Sequence, residues 1–249
     1  MIFKFLDACL HRHDKNMQKN KLLIFLAIFF IITISGCGLN KEEKVAGEKI
    51  ENKQEDVQMP LEMNPAPVVT NDHVQGDDQA PVDIIIYSGF DCLFCSGLAS
   101  EQGSIAQAKK EFGEKIRIIF RHYFLPVHNY GLMSAEASEC ASEQNKFWQM
   151  HDQMFASASV GKLSPEQIKL NAQEIDLNEE QFNKCLEDEK YRKKVLADIT
   201  KAEASGVRSV PTIFVNNKFI IGNVPYEDYD SVDGKQAGLK KIIERELEI

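Results

Sequence analysis

Cys92 and Cys95, three apart around Leu93-Phe94, are the residues of this 249-residue chain whose types and spacing most clearly do chemistry. They follow the apolar, β-branched run Val82–Tyr87 and precede a segment, Ser96 to Phe112, that predicts a helix. At the start of a helix, positions three apart share one face and lie close enough to bridge. The first of the two then sits where unpaired backbone N–H groups and the positive end of the helix dipole point outward. That environment stabilises a thiolate, which is the reactive form of cysteine. Strand, Cys-x-x-Cys and helix in this order make a redox motif. Half of a zinc site and an inert structural disulfide are the alternatives. Zinc takes four ligands, and no second Cys-x-x-Cys or His-x-His pair lies beyond residue 36. A helix N-terminus activates sulfur, which speaks against the inert bridge.

The N-terminus indicates the compartment. Leu22 to Ile34 is a nearly unbroken apolar run, preceded by Lys19 and Lys21 and followed by Ser35-Gly36-Cys37. A charged start, a short apolar core and small residues at its end make an export signal. The run is shorter than the ~20 residues of a comfortable bilayer span. Ile34-Ser35-Gly36-Cys37 resembles the lipobox of bacterial lipoproteins. The resemblance implies cleavage before Cys37 and a lipid on its sulfur; a retained anchor or plain secretion is the alternative. Met17 would open a compact signal by itself. Residues 1–16, with Cys9, His11 and His13, are expected to be absent from the mature chain.

The whole chain carries 29 basic and 38 acidic residues. Residues 1–36 hold five of the basic and two of the acidic, so the mature chain has 24 against 36, a net charge of −12. Such a surface repels phosphate backbones and excludes nucleic acid as a natural partner. It also gives no pull towards anionic lipid, so a covalent anchor would have to hold the chain at a membrane. Removing the signal removes Cys9, Cys37 takes the lipid, and Cys92 and Cys95 form the active pair. Cys140 and Cys185 remain, an even remainder in an oxidising compartment, either paired with each other or buried as free thiols.

The expected domains are a signal segment over 1–36, a lipidated cysteine with a disordered tether over 37–68, and one globular domain over 69–249. The tether is charged, ends proline-rich and has too few large apolar residues to bury a core. In the domain the first strand reads at about 82–87 and a second at Lys115–Tyr123. A long helical region follows from Asn129 to Phe155, with Leu132, Ala135, Cys140, Phe147, Met150 and Met154 at core spacing. Ser164-Pro165-Glu166-Gln167 and Asn178-Glu179-Glu180-Gln181 read as helix starts. A helix from about Glu189 stops at Gly206. Strands return at Thr212–Asn216 and Lys218–Ile221 around an Asn-Asn turn, and a last helix reads at about Val232–Leu247. The order predicts an α/β, thioredoxin-type sheet with a helical insertion at about 128–205, between the second strand and the strand that opens at Pro211.

These residues together resemble the DsbA-like thiol–disulfide oxidoreductases, in the branch of BdbD-type proteins, from Asp72 to the C-terminus. The resemblance is carried by Ala80-Pro81-Val82, the Cys92–Cys95 motif, Phe120-Arg121-His122, Cys140-Ala141, Phe147-Trp148, His151-Asp152, Phe182–Leu186 and Val210–Asn216. It implies a cis bond at Val210-Pro211 beside the disulfide, where sequence alone would allow an ordinary strand-opening trans proline. It also implies that Val210 and Pro211 line a peptide groove, that no cofactor is bound, and that a quinone-linked membrane protein of the DsbB or BdbC kind reoxidises the pair. Cys92 is then the exposed nucleophile and Cys95 its buried partner. The substrates would be cysteine-containing exported proteins, met outside the cytoplasm in a bacterial cell envelope by a lipid-anchored monomer. Two departures bear on redox poise: Leu93 and Phe94 offer no hydrogen-bond donor, and Asp91 puts a negative charge before Cys92. His122 and His128 read as redox-tuning or as structural residues. A reductase or isomerase on the same fold, and a non-catalytic binding protein that keeps the bridge as structure, are the rival functions.

Overall fold

The computed structural model describes residues 63–249. The export signal, Cys37 and most of the tether anticipated from the sequence lie outside these residues.

The central sheet has five strands: β1 (His73–Gly76), β2 (Val82–Ser88), β3 (Ile116–His122), β4 (Thr212–Val215) and β5 (Lys218–Ile221), in the spatial order β1-β3-β2-β4-β5. β2 and β3 are parallel, with Ile84 opposite Ile118 and Ile86 opposite Phe120. The other neighbours are antiparallel. A parallel pair needs a crossover. It is supplied by α1 (Leu93–Ala99) and α2 (Ser104–Phe112), which therefore carry the Cys-x-x-Cys motif from the end of β2. Between β3 and β4 lies the helical insertion: α3 (Gly131–Ser142), α4 (Phe147–Ser159), α5 (Pro165–Glu174), α6 (Glu179–Glu187) and α7 (Arg192–Ala204). α8 (Leu239–Glu246) closes the chain.

β2 is apolar at every position but Asp83 and Ser88 because both faces of the sheet are covered. Ile84 and Ile86 pack with Leu98, Ile105, Phe112, Leu239 and Ile243 on one side. Ile85 and Tyr87 pack with Ile119, Phe214 and Ala202 on the other. The insertion has its own core around Phe147, Met150, Met154 and Phe182, continuous with Phe90, Cys92 and Cys95. Cys140 of α3 and Cys185 of α6 are joined by a disulfide, with Cα atoms 5.9 Å apart, that staples this core.

Local signals explain the insertion's boundaries. Ser164 Oγ accepts from Gln167 N–H at 3.1 Å, and Asn178 Oδ1 accepts from Gln181 N–H at 2.9 Å, so both anticipated caps form. Asn145 takes a left-handed conformation, φ 58°, and splits the single helical region expected over 129–155 into α3 and α4.

Four further expectations are corrected. The helix read as continuous from Ser96 to Phe112 breaks between α1 and α2 at Gly103, whose hydrogen lies so close to the Leu98 carbonyl that a Cβ would collide. β1 was not anticipated; four residues ending in Gly76 are too short to show a strand period. The final helix starts at Leu239, not Val232, because Tyr229–Ser231 and Gly234–Gln236 (β6 and β7) form a hairpin first, with Gly234 at φ 104°. The tether ends earlier than residue 68. Met63 is buried against Ile85, Tyr87 and Phe214, and Arg121 donates to the Ala66 and Pro67 carbonyls at 2.7 and 2.8 Å. The same guanidinium grips Asp72 at 3.0 and 2.8 Å, so one arginine fastens the whole entry segment.

Candidate active site

The chain turns from β2 into α1 through Phe90 and Asp91, and Cys92 is the N-cap of α1, extended at φ −133° and ψ 115°. Its Sγ accepts from Cys95 N–H at 3.2 Å, the place a serine or aspartate side chain holds in an ordinary cap. The N-cap therefore gives the sulfur an amide donor as well as the positive end of a helix. Cys92 and Cys95 are disulfide-bonded, with Cα atoms 5.2 Å apart. Cys92 keeps 5% of its surface and Cys95 1%, whereas Leu93 and Phe94 between them stand 68% exposed. Both sulfurs are buried behind this apolar rim, so the expectation of an exposed Cys92 is corrected: it is only the less buried of the two.

The Val210 carbonyl oxygen lies 4.0 Å from Cys92 Sγ, and the Val210-Pro211 peptide bond is cis. Thr212 Oγ1 donates to the Ser209 carbonyl at 2.8 Å and Gly222 N–H donates to the Pro211 carbonyl at 2.8 Å, which fixes the loop on both sides of the bond. The fold thus brings together four residues from two distant stretches, Cys92, Cys95, Val210 and Pro211. A family model described as thioredoxin matches residues 69–232.

The chain belongs to the thioredoxin family.

Within that family it has the fold of the DsbA-type oxidoreductases. BdbD from Bacillus subtilis (oxidised) superposes with a TM-score of 0.64 at 21% identity, over 76% of this chain and 99% of that one. Wolbachia pipientis alpha-DsbA1 gives 0.55 at 23% identity, over 73% and 92%. Among curated proteins, the "Na(+)/H(+) antiporter NhaA 3" of Salinispora tropica is 33% identical over 148 residues, 59% of this chain and 22% of that one. The chain spans about a quarter of the length of the curated relatives it matches. None of its described helices is long and apolar enough to cross a membrane. The α/β fold and the DsbA-like resemblance read from the sequence are the ones found.

The surroundings of the pair change how its charges are read. The Asp91 carboxylate accepts from Tyr130 N–H at 2.8 Å and so caps the approach to α3, which turns part of its charge away from the sulfur. His128 Nδ1 accepts from Leu125 N–H at 3.2 Å, inside its own loop; burial pushes this histidine's pKa down, against the pull of Asp91. His122 is buried at the end of β3 and meets Glu139 Oε1 at 2.9 Å. His73 reaches the same oxygen at 2.8 Å, and Lys194 at 2.7 Å. Burial alone would raise Glu139, but the bonds from His122 and His73 overcome it and hold the carboxyl far below the usual range. Burial pushes His122 down more than Glu139 pulls it up. Among the described residues, His122 bonds to Glu139 and His128 to its own loop, and neither bonds to Cys92 or Cys95. His73, His122 and Glu139 bring metal-type donor atoms within 4.8 Å of one another, but the Lys194 ammonium already sits on the shared oxygen and supplies the positive charge.

His151 and Asp152 count among the family landmarks in the sequence, yet nothing there gives them a role. A titratable residue inside the apolar stripe Phe147–His151–Phe155, at intervals of four on α4, is the signal that marks them out.

Proposed function

We propose that the chain is an extracytoplasmic thiol oxidase that introduces disulfides into exported proteins. The observation that carries this reading is the position of Cys92: an N-cap sulfur under the Cys95 N–H, the less buried of the pair and beside the Val210 carbonyl. A substrate thiolate attacks Cys92 Sγ, the Cys92–Cys95 bond breaks, and its electron pair leaves on Cys95. A second substrate thiolate attacks the substrate sulfur of the mixed disulfide and displaces Cys92 as a thiolate. The substrate gains a disulfide and the pair ends reduced. A reduced pair stabilised at a helix N-terminus favours this direction.

Val210 and Pro211 form the groove wall, where an extended substrate segment can meet backbone polar groups. A quinone-linked membrane oxidase of the DsbB or BdbC kind reoxidises the chain. A lipid on Cys37 holds it at the membrane, which its acidity would not do. Oxidative refolding of a reduced, cysteine-containing exported protein, run beside reduction of insulin, tests the reading. Oxidase activity in the first without reductase activity in the second is expected. The opposite pattern makes the chain a reductase, and silence in both makes it a binding protein.

A further inference from the structure

Cys95 must change protonation state in every turnover, and at 1% exposure it cannot exchange its proton with bulk water directly. Beside it lies a small pocket of about 70 Å³, partly open at the surface, to which Cys95, Ser88, Phe120, His151, Asp152 and Phe155 contribute. It is roomy enough for water and has polar groups to hold it. His151 stands on α4, in ring contact with Phe120, Trp148 and Phe155 at centroid distances of 4.8 to 5.1 Å. Its Nδ1 lies 2.8 Å from Asp152 Oδ1. A carboxylate only accepts, so this bond places the ring proton on Nδ1 and leaves Nε2 with a lone pair. Among the described cavity residues, the imidazole is the neutral base available to a thiol.

We propose that His151, held in tautomer by Asp152, exchanges a proton with Cys95 through water in this cavity. The proposal rests on the thiol–disulfide reading above and names a further residue for that reaction. When the Cys92–Cys95 bond is broken by a substrate thiolate, a proton arriving from solvent past Asp152 charges His151 at Nε2, and the leaving Cys95 thiolate takes it through the water, which returns the ring to neutral. On reoxidation Cys92 thiolate attacks a partner disulfide, whose S–S bond breaks: one partner sulfur leaves as a thiolate and the other is held in a mixed disulfide on Cys92. Cys95 then gives its proton to His151 Nε2, attacks Cys92 Sγ, and releases the partner's sulfur as a thiolate. Asp152 is the positioning residue. It stands at the cavity mouth, with 75% of its side chain exposed, where a second cleft of about 520 Å³ opens to solvent past Ala99, Ala106 and Phe155. The proton has a short route out.

The groups that face His151 favour the neutral ring. Burial lowers its pKa, the bond to Asp152 opposes this, and Lys109 from α2 and His73 from β1 add to the lowering. Lys109 is itself tied to Gln75 Oε1 at 2.6 Å, on the rim of the same cavity.

The test uses the reduced full chain and the chromogenic aromatic disulfide 5,5′-dithiobis(2-nitrobenzoate). Cys92 attacks first and releases one coloured thiolate; Cys95 then attacks the mixed disulfide and releases the second. A Cys92→Ala control subtracts any other thiol. In His151→Gln the first release keeps its rate and the second slows about a hundredfold at neutral pH, the low end of what a general base contributes. Its rate also keeps rising into the alkaline range, where the native chain has levelled off. Asp152→Asn, at an exposed position that tolerates the change, slows the second release by a smaller factor because its amide turns the tautomer. A second release with native rate and native pH profile in both variants overturns the proposal. If His151→Gln does not fold, an unchanged second release in Asp152→Asn overturns it alone. Failure of the first release in the native chain would instead sink the oxidoreductase reading.

Discussion

Cys95 N–H donates to Cys92 Sγ at 3.2 Å, so the nucleophile of the pair is capped by the backbone of its own partner. That bond and the helix terminus are the stabilisation a Cys92 thiolate receives, since Leu93 and Phe94 have no donor to add. Phe94 is 68% exposed, so Phe94→His leaves the core untouched and adds a donor. The Cys92 pKa should fall and the pair become more oxidising, by about 30 mV for each 1.4 kcal/mol of added thiolate stabilisation. Equilibration with glutathione and a thiolate absorbance titration measure both. No change in either would mean that the helix terminus alone sets the poise.

The Cys140–Cys185 bridge closes a loop with a sequence separation of 45 between α3 and α6. In the chain-entropy model a loop of that length is worth about 4 kcal/mol. Cys140→Ala/Cys185→Ala should therefore lower Tm by roughly 8–16 °C, at 2–4 °C per kcal/mol for a domain of this size. Neither cysteine of the bridge is hydrogen-bonded to Cys92 or Cys95, so thiol exchange at Cys92 should persist in the folded variant. Equal melting of native and variant chains would remove the bridge from any account of stability.

Acid should loosen the fold in a defined window. His122 and His151 both have pKa values pushed below the ordinary 6.5 by burial. The unfolded chain therefore binds protons more readily, so their contribution is complete above about pH 6.5 and is lost as pH falls through the folded values. Glu139 is likewise depressed, so its contribution is present above its ordinary 4.5 and lost below it. Melting temperature should decline steadily from about pH 6.5 downward. Glu139→Gln removes the charge that pairs with Lys194 and should cost about 3–5 kcal/mol at neutral pH. A flat melting profile between pH 7 and pH 5 would contradict the neutral, buried state of these histidines.

Much of this was legible in the sequence, and the reasons differ by element. β2 announced itself because a strand buried on both faces carries an apolar run, here Ile84–Tyr87, and the α5 and α6 starts because Ser164 and Asn178 act through purely local bonds. β1 and the β6–β7 hairpin were not legible, because they are short and owe their existence to a partner strand. The meeting of Cys92 with Val210 spans 118 residues. It followed from the family resemblance, not from any local pattern. The convergence of His73, His122 and Lys194 on one oxygen of Glu139 joins four elements, and no spacing in the chain encodes it.

Anchoring is expected from Lys19 to Cys37. In cells that make the full chain, Cys37→Ala should abolish lipid labelling and release the protein from the membrane fraction. Equal labelling of the variant would rule the anchor out. A lipid of several acyl chains holds firmly where a single one gives only marginal binding.

The most direct measurement mixes the oxidised full chain with an equal amount of a reduced dithiol polypeptide, quenches with acid, and reads both partners by mass. The polypeptide should lose a pair of hydrogens and the chain gain them at Cys92 and Cys95. Cys95→Ser, mixed instead with the polypeptide in its disulfide form, should accumulate the mixed disulfide on Cys92 as one polypeptide thiol is released, and Cys92→Ser should leave the reduced polypeptide unchanged. A polypeptide that stays reduced while the Cys92–Cys95 bridge stays intact would contradict the account.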